Sequence, residues 1–147
     1  MTVELTKEEI ETLLQESGSG VLALTDGEEA YSIPESFGYD GDKLYFQFAY
    51  TKDSKKMAFL ETTETATLTI YTENPAKSVL VQGPIEAVPE DEEIRATTAI
   101  AENASIPTLN VYPETALQEL TMDYYQLTPA TITGRSFNVF TPSSTDQ

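Results

Sequence analysis

The sequence contains no cysteine, no histidine and no tryptophan. These absences exclude a disulfide framework, zinc sites built from Cys or His, a thiol nucleophile and a histidine general base. Any catalysis must then come from a cofactor, or from carboxylates and tyrosine. Cations are scarce too: eight Lys and Arg stand against 25 Asp and Glu, for a net charge of −17. That charge repels a polyanion, so no nucleic-acid partner is expected. No apolar run approaches the roughly 20 residues of a membrane span, so no membrane partner is expected either. The opening MTVELTKEE lacks the basic and apolar blocks of a signal peptide, which points to the cytoplasm. The acids are spread along the chain instead of forming a tail. This is the pattern expected of a surface adapted to a very salty cytoplasm, where the Debye length falls to about 3 Å or less.

What is present is globular. The chain has 147 residues, 39% of them hydrophobic, with eight Tyr and six Phe. That suits one domain over residues 1–147, with 138–147 as a loose tail. Residues 6–17, TKEEIETLLQES, predict a helix with Thr6 and Glu9 as a capping box and Gly18 as its stop. Residues 20–48 read as three strands joined at Asp26-Gly27 and Asp40-Gly41. In the third, Leu44, Phe46 and Phe48 point one way and Tyr45 and Gln47 the other. Pro34 confines the second to a sheet edge or a bulge. A short helix capped by Asp53 runs to about Glu61. Strands follow at 65–73 and 77–88 around an Asn74-Pro75 turn. Residues 89–104 predict a helix with Ile94, Thr97 and Ile100 on one face, and PETALQEL (113–120) a shorter one. A last strand spans 123–137. Six strands with hairpin connections imply a mainly β fold, an antiparallel barrel with flanking helices.

Against the scarcity of cations, FAYTKDSKKMAFLE (48–61) poses a question, because it holds Lys52, Lys55 and Lys56 together. One reading is solvated charge paired with acids such as Asp53 and Glu61. The other is a phosphate site. Lysines and free N–H groups meet where a strand ends and a helix begins, and Ser54 adds a hydroxyl. The second fits better in a chain so poor in cations. There is no Walker pattern and no G-x-G-x-x-G, so a nucleoside triphosphate is not the expected ligand. Pro34, in AYSIPESFGY, interrupts strand pairing and leaves backbone groups free for a planar ring. Arg135, one of two arginines, is either a salt-bridge partner or a planar cation beside such a ring.

Three features together resemble the pyridoxamine-phosphate-oxidase-like flavoproteins, which share a split β-barrel. They are the Ser32-Ile33-Pro34 strand, the aromatic strand after an acidic-Gly turn, and the Lys-rich opening of a helix. KSVLVQGPIEAV is similar to the family's next strand, and TGR recurs near the end of some members. The resemblance spans roughly residues 5–137 and implies FMN at a homodimer interface. It implies that Lys55 or Lys56, with Ser54, holds the FMN phosphate. Ser32 and Ile33, next to Pro34, would offer backbone to the flavin ring, with Phe46, Gln47 and Phe48 beside it and Gln82 and Arg135 as further contacts. Where many relatives carry His after the third strand, this chain has Phe48 and Ala49. The basic, His-containing motif of the longer vitamin-phosphate oxidases is also missing, so that activity is not expected. The expectation is an FMN-dependent oxidoreductase with a small-molecule substrate or electron donor such as NAD(P)H. The alternatives are a deazaflavin-dependent reductase and a non-catalytic flavin-binding or storage protein.

Overall fold

The computed structural model describes residues 2–103 and 121–137. The helix expected at 113–120 and the tail at 138–147 lie outside the described residues. Helix α1 (Lys7–Glu16) starts as the capping box requires. The Thr6 hydroxyl accepts from the Glu9 N–H at 3.1 Å, and the Glu9 carboxylate accepts from the Thr6 N–H at 2.9 Å. It ends at Ser17, one residue before Gly18. A strand the sequence did not announce, β1 (Thr2–Glu4), precedes it.

The two Asp-Gly turns form where expected. Gly27 (φ 97°) joins β2 (Ser19–Thr25) to β3 (Ala30–Ser36), and Gly41 (φ 91°) joins β4 (Gly38–Tyr39) to β5 (Leu44–Tyr50). Then come α2 (Lys55–Thr62), β6 (Ala66–Glu73), β7 (Ala76–Gly83) and β8 (Ile85–Ala87). A 3₁₀ turn at Glu90–Glu92 leads into α3 (Glu93–Asn103), and β9 (Thr121–Leu127) and β10 (Thr131–Phe137) follow. Two antiparallel sheets result, in the orders β1-β10-β7-β6-β2-β3 and β4-β5-β9-β8. The fold class is the expected one, a mainly β split barrel with helices set against it.

The count of six strands was too low, and the reason is physical. Three segments read as single strands each pass from one sheet to the other: 30–39 between β3 and β4, 77–88 between β7 and β8, and 123–137 between β9 and β10. Two of these corners are bonded together. The Thr128 N–H donates to the Pro84 carbonyl (3.0 Å), and the Ala130 N–H to the Gln82 carbonyl (2.7 Å). A Cβ on Gly83 would lie 1.9 Å from the Thr128 carbonyl oxygen, so only glycine fits at this crossing. Pro84 and Pro129 end strand pairing on either side.

The core lies between the sheets, where Leu22, Leu68 and Val81 meet Leu44, Phe46, Phe48 and Leu127. The alternation in β5 is as read. Its other face is also covered, because Tyr45 packs with Val88 against Ala96 and Ala99 of α3. That corrects the face assigned to this helix. Of the expected face, Ile94 is 80% exposed and Thr97 is exposed too, while Ile100 packs beside the buried Ala96 and Ala99. The helix crosses Gly38 so closely that a Cβ there would stand 2.4 Å from the Ala99 backbone. Pro34 sits on β3, an edge strand as expected, whose pairing with β2 runs unbroken from Ser19↔Ser36 to Thr25↔Ala30.

Candidate functional site

Register decides which side chains share the outer face of the six-stranded sheet. Ser32, Ala23, Thr67, Gln82 and Thr131 lie directly opposite one another across five strands. Pro34, Val21, Thr69, Leu80 and Thr133 form the next row, and Tyr71, Ser78 and Arg135 the one beyond. Gln82 holds its row together: its Nε2 donates to Thr67 Oγ1 at 3.2 Å, and the Thr131 hydroxyl donates to its Oε1 at 3.5 Å. Beside these polar groups Val21, Leu80, Tyr71 and Phe137 are exposed. Four residues read as site candidates from the sequence, Ser32, Pro34, Gln82 and Arg135, are thus brought onto one half-polar, half-apolar surface. They are up to 103 positions apart in the chain, counting Ser32 to Arg135.

The lysines lie at the start of α2, along the inner side of β3. Asp53 was expected to cap this helix, but Ser54 does so. Its backbone is extended (φ −65°, ψ 128°) and its hydroxyl accepts from the Met57 N–H at 3.3 Å. The two following lysines have different surroundings. Lys56 is buried, and its Nζ donates to Glu35 Oε2 at 2.9 Å while standing 4.6 Å from the centre of the Phe48 ring. Burial pushes the Glu35 carboxyl up and Lys56 opposes that shift. Lys55 is exposed, with its Nζ 5.2 Å from the Tyr31 ring and 5.9 Å from the Phe59 ring. Among the described residues it makes no ion pair. Tyr31 points inward, opposite to Ser32, so Lys55 lies on the inner side of β3, across that edge strand from the outer face.

The other candidates are placed elsewhere. Ile33 turns to the core, and Phe46 and Phe48 are fully buried there, stacked on each other at 5.5 Å. Ile33 can serve an outside ligand only through its backbone. β3 is an edge strand, so alternate residues direct N–H and C=O away from β2. Gln47 lies on the α3 side of β5, where its Nε2 donates to the Tyr124 hydroxyl at 3.2 Å. Two features escaped the sequence reading. Glu35 could have been found, because Tyr31, Ile33 and Glu35 alternate inward and a carboxylate on that apolar face needs a partner. The other is the Tyr50 hydroxyl, which donates to Asp123 and is held up to about 12 chiefly by that bond. No sequence signal announces that pairing, since the register of β5 with β9 is not written locally. Among the described residues no group of three or more His, Cys, Asp or Glu could hold a metal, and no helix is long and apolar enough to cross a membrane.

No curated protein matches the sequence. Solved structures do match in fold. A candidate 5-nitroimidazole antibiotic resistance protein from Bacteroides thetaiotaomicron superposes with a TM-score of 0.72 at 18% identity, covering 93% of this chain and 88% of that one. An FAD-binding protein from Mesorhizobium loti gives 0.71 at 17% identity over 95% and 98% of the two chains. The FAD binding protein from Mycobacterium smegmatis gives 0.64 at 15%, over 94% and 100%. At such identities the likeness is one of fold. The family assignment comes from the sequence itself, because the pyridoxamine 5'-phosphate oxidase profile matches residues 6–136, which include Ser32, Pro34, Gln82 and Arg135 of the outer face. The chain belongs to the pyridoxamine 5'-phosphate oxidase family.

Proposed function

We propose that the chain binds a flavin, FMN, against the outer face of the six-stranded sheet between two copies of itself, and serves as an FMN-dependent oxidoreductase for a small molecule. The observation that carries this reading is the surface shared by Ser32, Pro34, Gln82 and Arg135, with an exposed Lys55 on the other side of the edge strand β3. A flavin ring is a broad plane with polar edges. It needs apolar area, which Val21 and Leu80 offer, and hydrogen-bonding groups in the same plane, which Gln82, Ser32 and the β3 backbone offer. The fold relatives described as FAD-binding support a flavin as the class of ligand. A bound flavin would supply the electron transfer that a chain without His or Cys cannot. The protein's own part is to hold the ring, to set Lys55 against the phosphate, and to bring the Arg135 guanidinium near a ring that gains negative charge.

Titration of the purified protein in molar salt with FMN and with riboflavin tests the proposal. Both should bind. Lys55→Ala should weaken FMN on the order of 10-fold, the loss of one charge-assisted hydrogen bond, and leave riboflavin unchanged. Bleaching of the bound flavin by NAD(P)H would support the oxidoreductase assignment. A flavin that binds but cannot be reduced would point to storage, and preference for a deazaflavin would redirect the cofactor. If neither flavin binds, the proposal falls.

A further inference from the structure

We infer that Glu35 sets the ligand preference of this site by holding Lys56 as its internal partner, so that a phosphate group meets Lys55 alone. The inference rests on the flavin reading above and goes beyond it to specificity. Two adjacent lysines at a helix start look interchangeable in the sequence. Their surroundings make them opposites. Lys56 is 8% exposed and Glu35 4%, and their charged atoms are 2.9 Å apart. The Phe48 ring lies 4.6 Å from the ammonium and is itself fully buried, so Lys56 is held on two sides. Lys55, one residue earlier, is exposed, lies over the Tyr31 and Phe59 rings, and makes no ion pair among the described residues.

The consequence follows from the cost of separating a buried pair. If Lys56 swung out to a ligand phosphate, Glu35 would remain buried without a counter-charge. That penalty exceeds what one more phosphate contact returns. Viewed from outside, the pair is neutral and exerts little pull on an anion. Glu35 therefore occupies the seat that a phosphate would otherwise take beside Lys56. The chain should accept flavins with only a modest dependence on the phosphate, the contribution of Lys55. Glu35 acts as a specificity-determining residue that need not touch the ligand.

The test compares the ratio of FMN to riboflavin affinity in the wild type, Glu35→Gln, Lys56→Met and the double variant Glu35→Met/Lys56→Met. Removing the carboxylate's charge should free Lys56 for the phosphate and raise the FMN preference about 10-fold in Glu35→Gln. Lys56→Met and the double variant should keep the wild-type ratio. The inference is overturned if Lys56→Met or the double variant lowers the FMN preference, or if a folded Glu35→Gln leaves the ratio unchanged. Should Glu35→Gln fail to fold, the double variant decides, because buried pairs tolerate joint replacement by apolar residues. Binding of neither flavin to the wild type would overturn the flavin reading itself. Binding of both with the wrong ratios would overturn only the role of Glu35.

Discussion

At the scale of single residues, Asp40 shows how one carboxylate can join a turn, a strand and a helix. Its Oδ1 accepts from the N–H groups of Asp42 (2.8 Å) and Lys43 (2.7 Å), closing the turn. Its Oδ2 accepts from the Tyr45 hydroxyl at 3.0 Å and from Arg95 Nε at 2.6 Å. Burial works to raise the Asp40 carboxyl, but the Lys43 and Asp42 N–H groups, with Tyr45 and Arg95, outweigh it and hold it below the usual range. A carboxylate with a lowered folded value adds stability above its unfolded pKa of about 4, and that stability is lost as pH falls through the folded value. Asp40→Asn should therefore cost about 1–2 kcal/mol at neutral pH, with the deficit shrinking below pH ~4. Urea melts at several pH values measure this, and a deficit independent of pH would contradict it. The Asp-Gly turn was legible from its dipeptide. Arg95 as its partner was not, because 55 residues separate the two. The same holds for Glu35 and Lys56, 21 residues apart.

At the scale of elements, boundaries set by local chemistry were readable and faces set by packing were not. The Thr6–Glu9 capping box predicts the start of α1 to the residue. The existence of α3 follows from its acidic, proline-led start, yet its buried face does not follow from hydrophobicity. Ile94 is the larger apolar residue, but the helix packs on Tyr45 and Val88 through Ala96 and Ala99, and its Ala99–Ile100 backbone comes so close to Gly38 that no Cβ fits there. Gly38 is not in the positive-φ region, so an alanine there would strain no backbone angle and would act through sterics alone. Gly38→Ala should lower stability by about 1–3 kcal/mol by forcing α3 off the sheet. Ile94→Lys, on the exposed side of the same helix, should change it by no more than ~0.5 kcal/mol. Thermal melts of the two variants distinguish the faces, and a larger loss for Ile94→Lys would restore the hydrophobicity-based assignment. The strands misread as single share one cause: a strand pattern does not record the moment at which the chain changes sheets.

At the scale of the whole molecule, charge and surface lead to two further expectations. With 25 acids against eight bases, the folded chain repels itself when counterions are removed. The melting temperature should rise steeply between millimolar and molar KCl, followed by circular dichroism. A flat dependence would mean that the acidity serves another purpose. The outer sheet face, invisible in the sequence because it depends on register across five strands, should pair two copies. Light scattering at high salt should then give about twice the 16.2 kDa chain mass. Leu80→Asp should give a folded monomer with weakened FMN binding, whereas a dimer unaffected by it would place the interface elsewhere. The crossing of the chain between sheets also bears on synthesis. β9 lies between β5 and β8, and β10 between β1 and β7, so residues 121–137 supply an interior strand to each sheet. The contact between Gln47 and Tyr124 spans 77 residues, and such distant closures slow the search for the native state. On the ribosome neither sheet can be completed until that late segment has emerged. A nascent chain arrested at residue 120 should remain open to protease digestion, and one arrested with residue 137 clear of the exit tunnel should resist it.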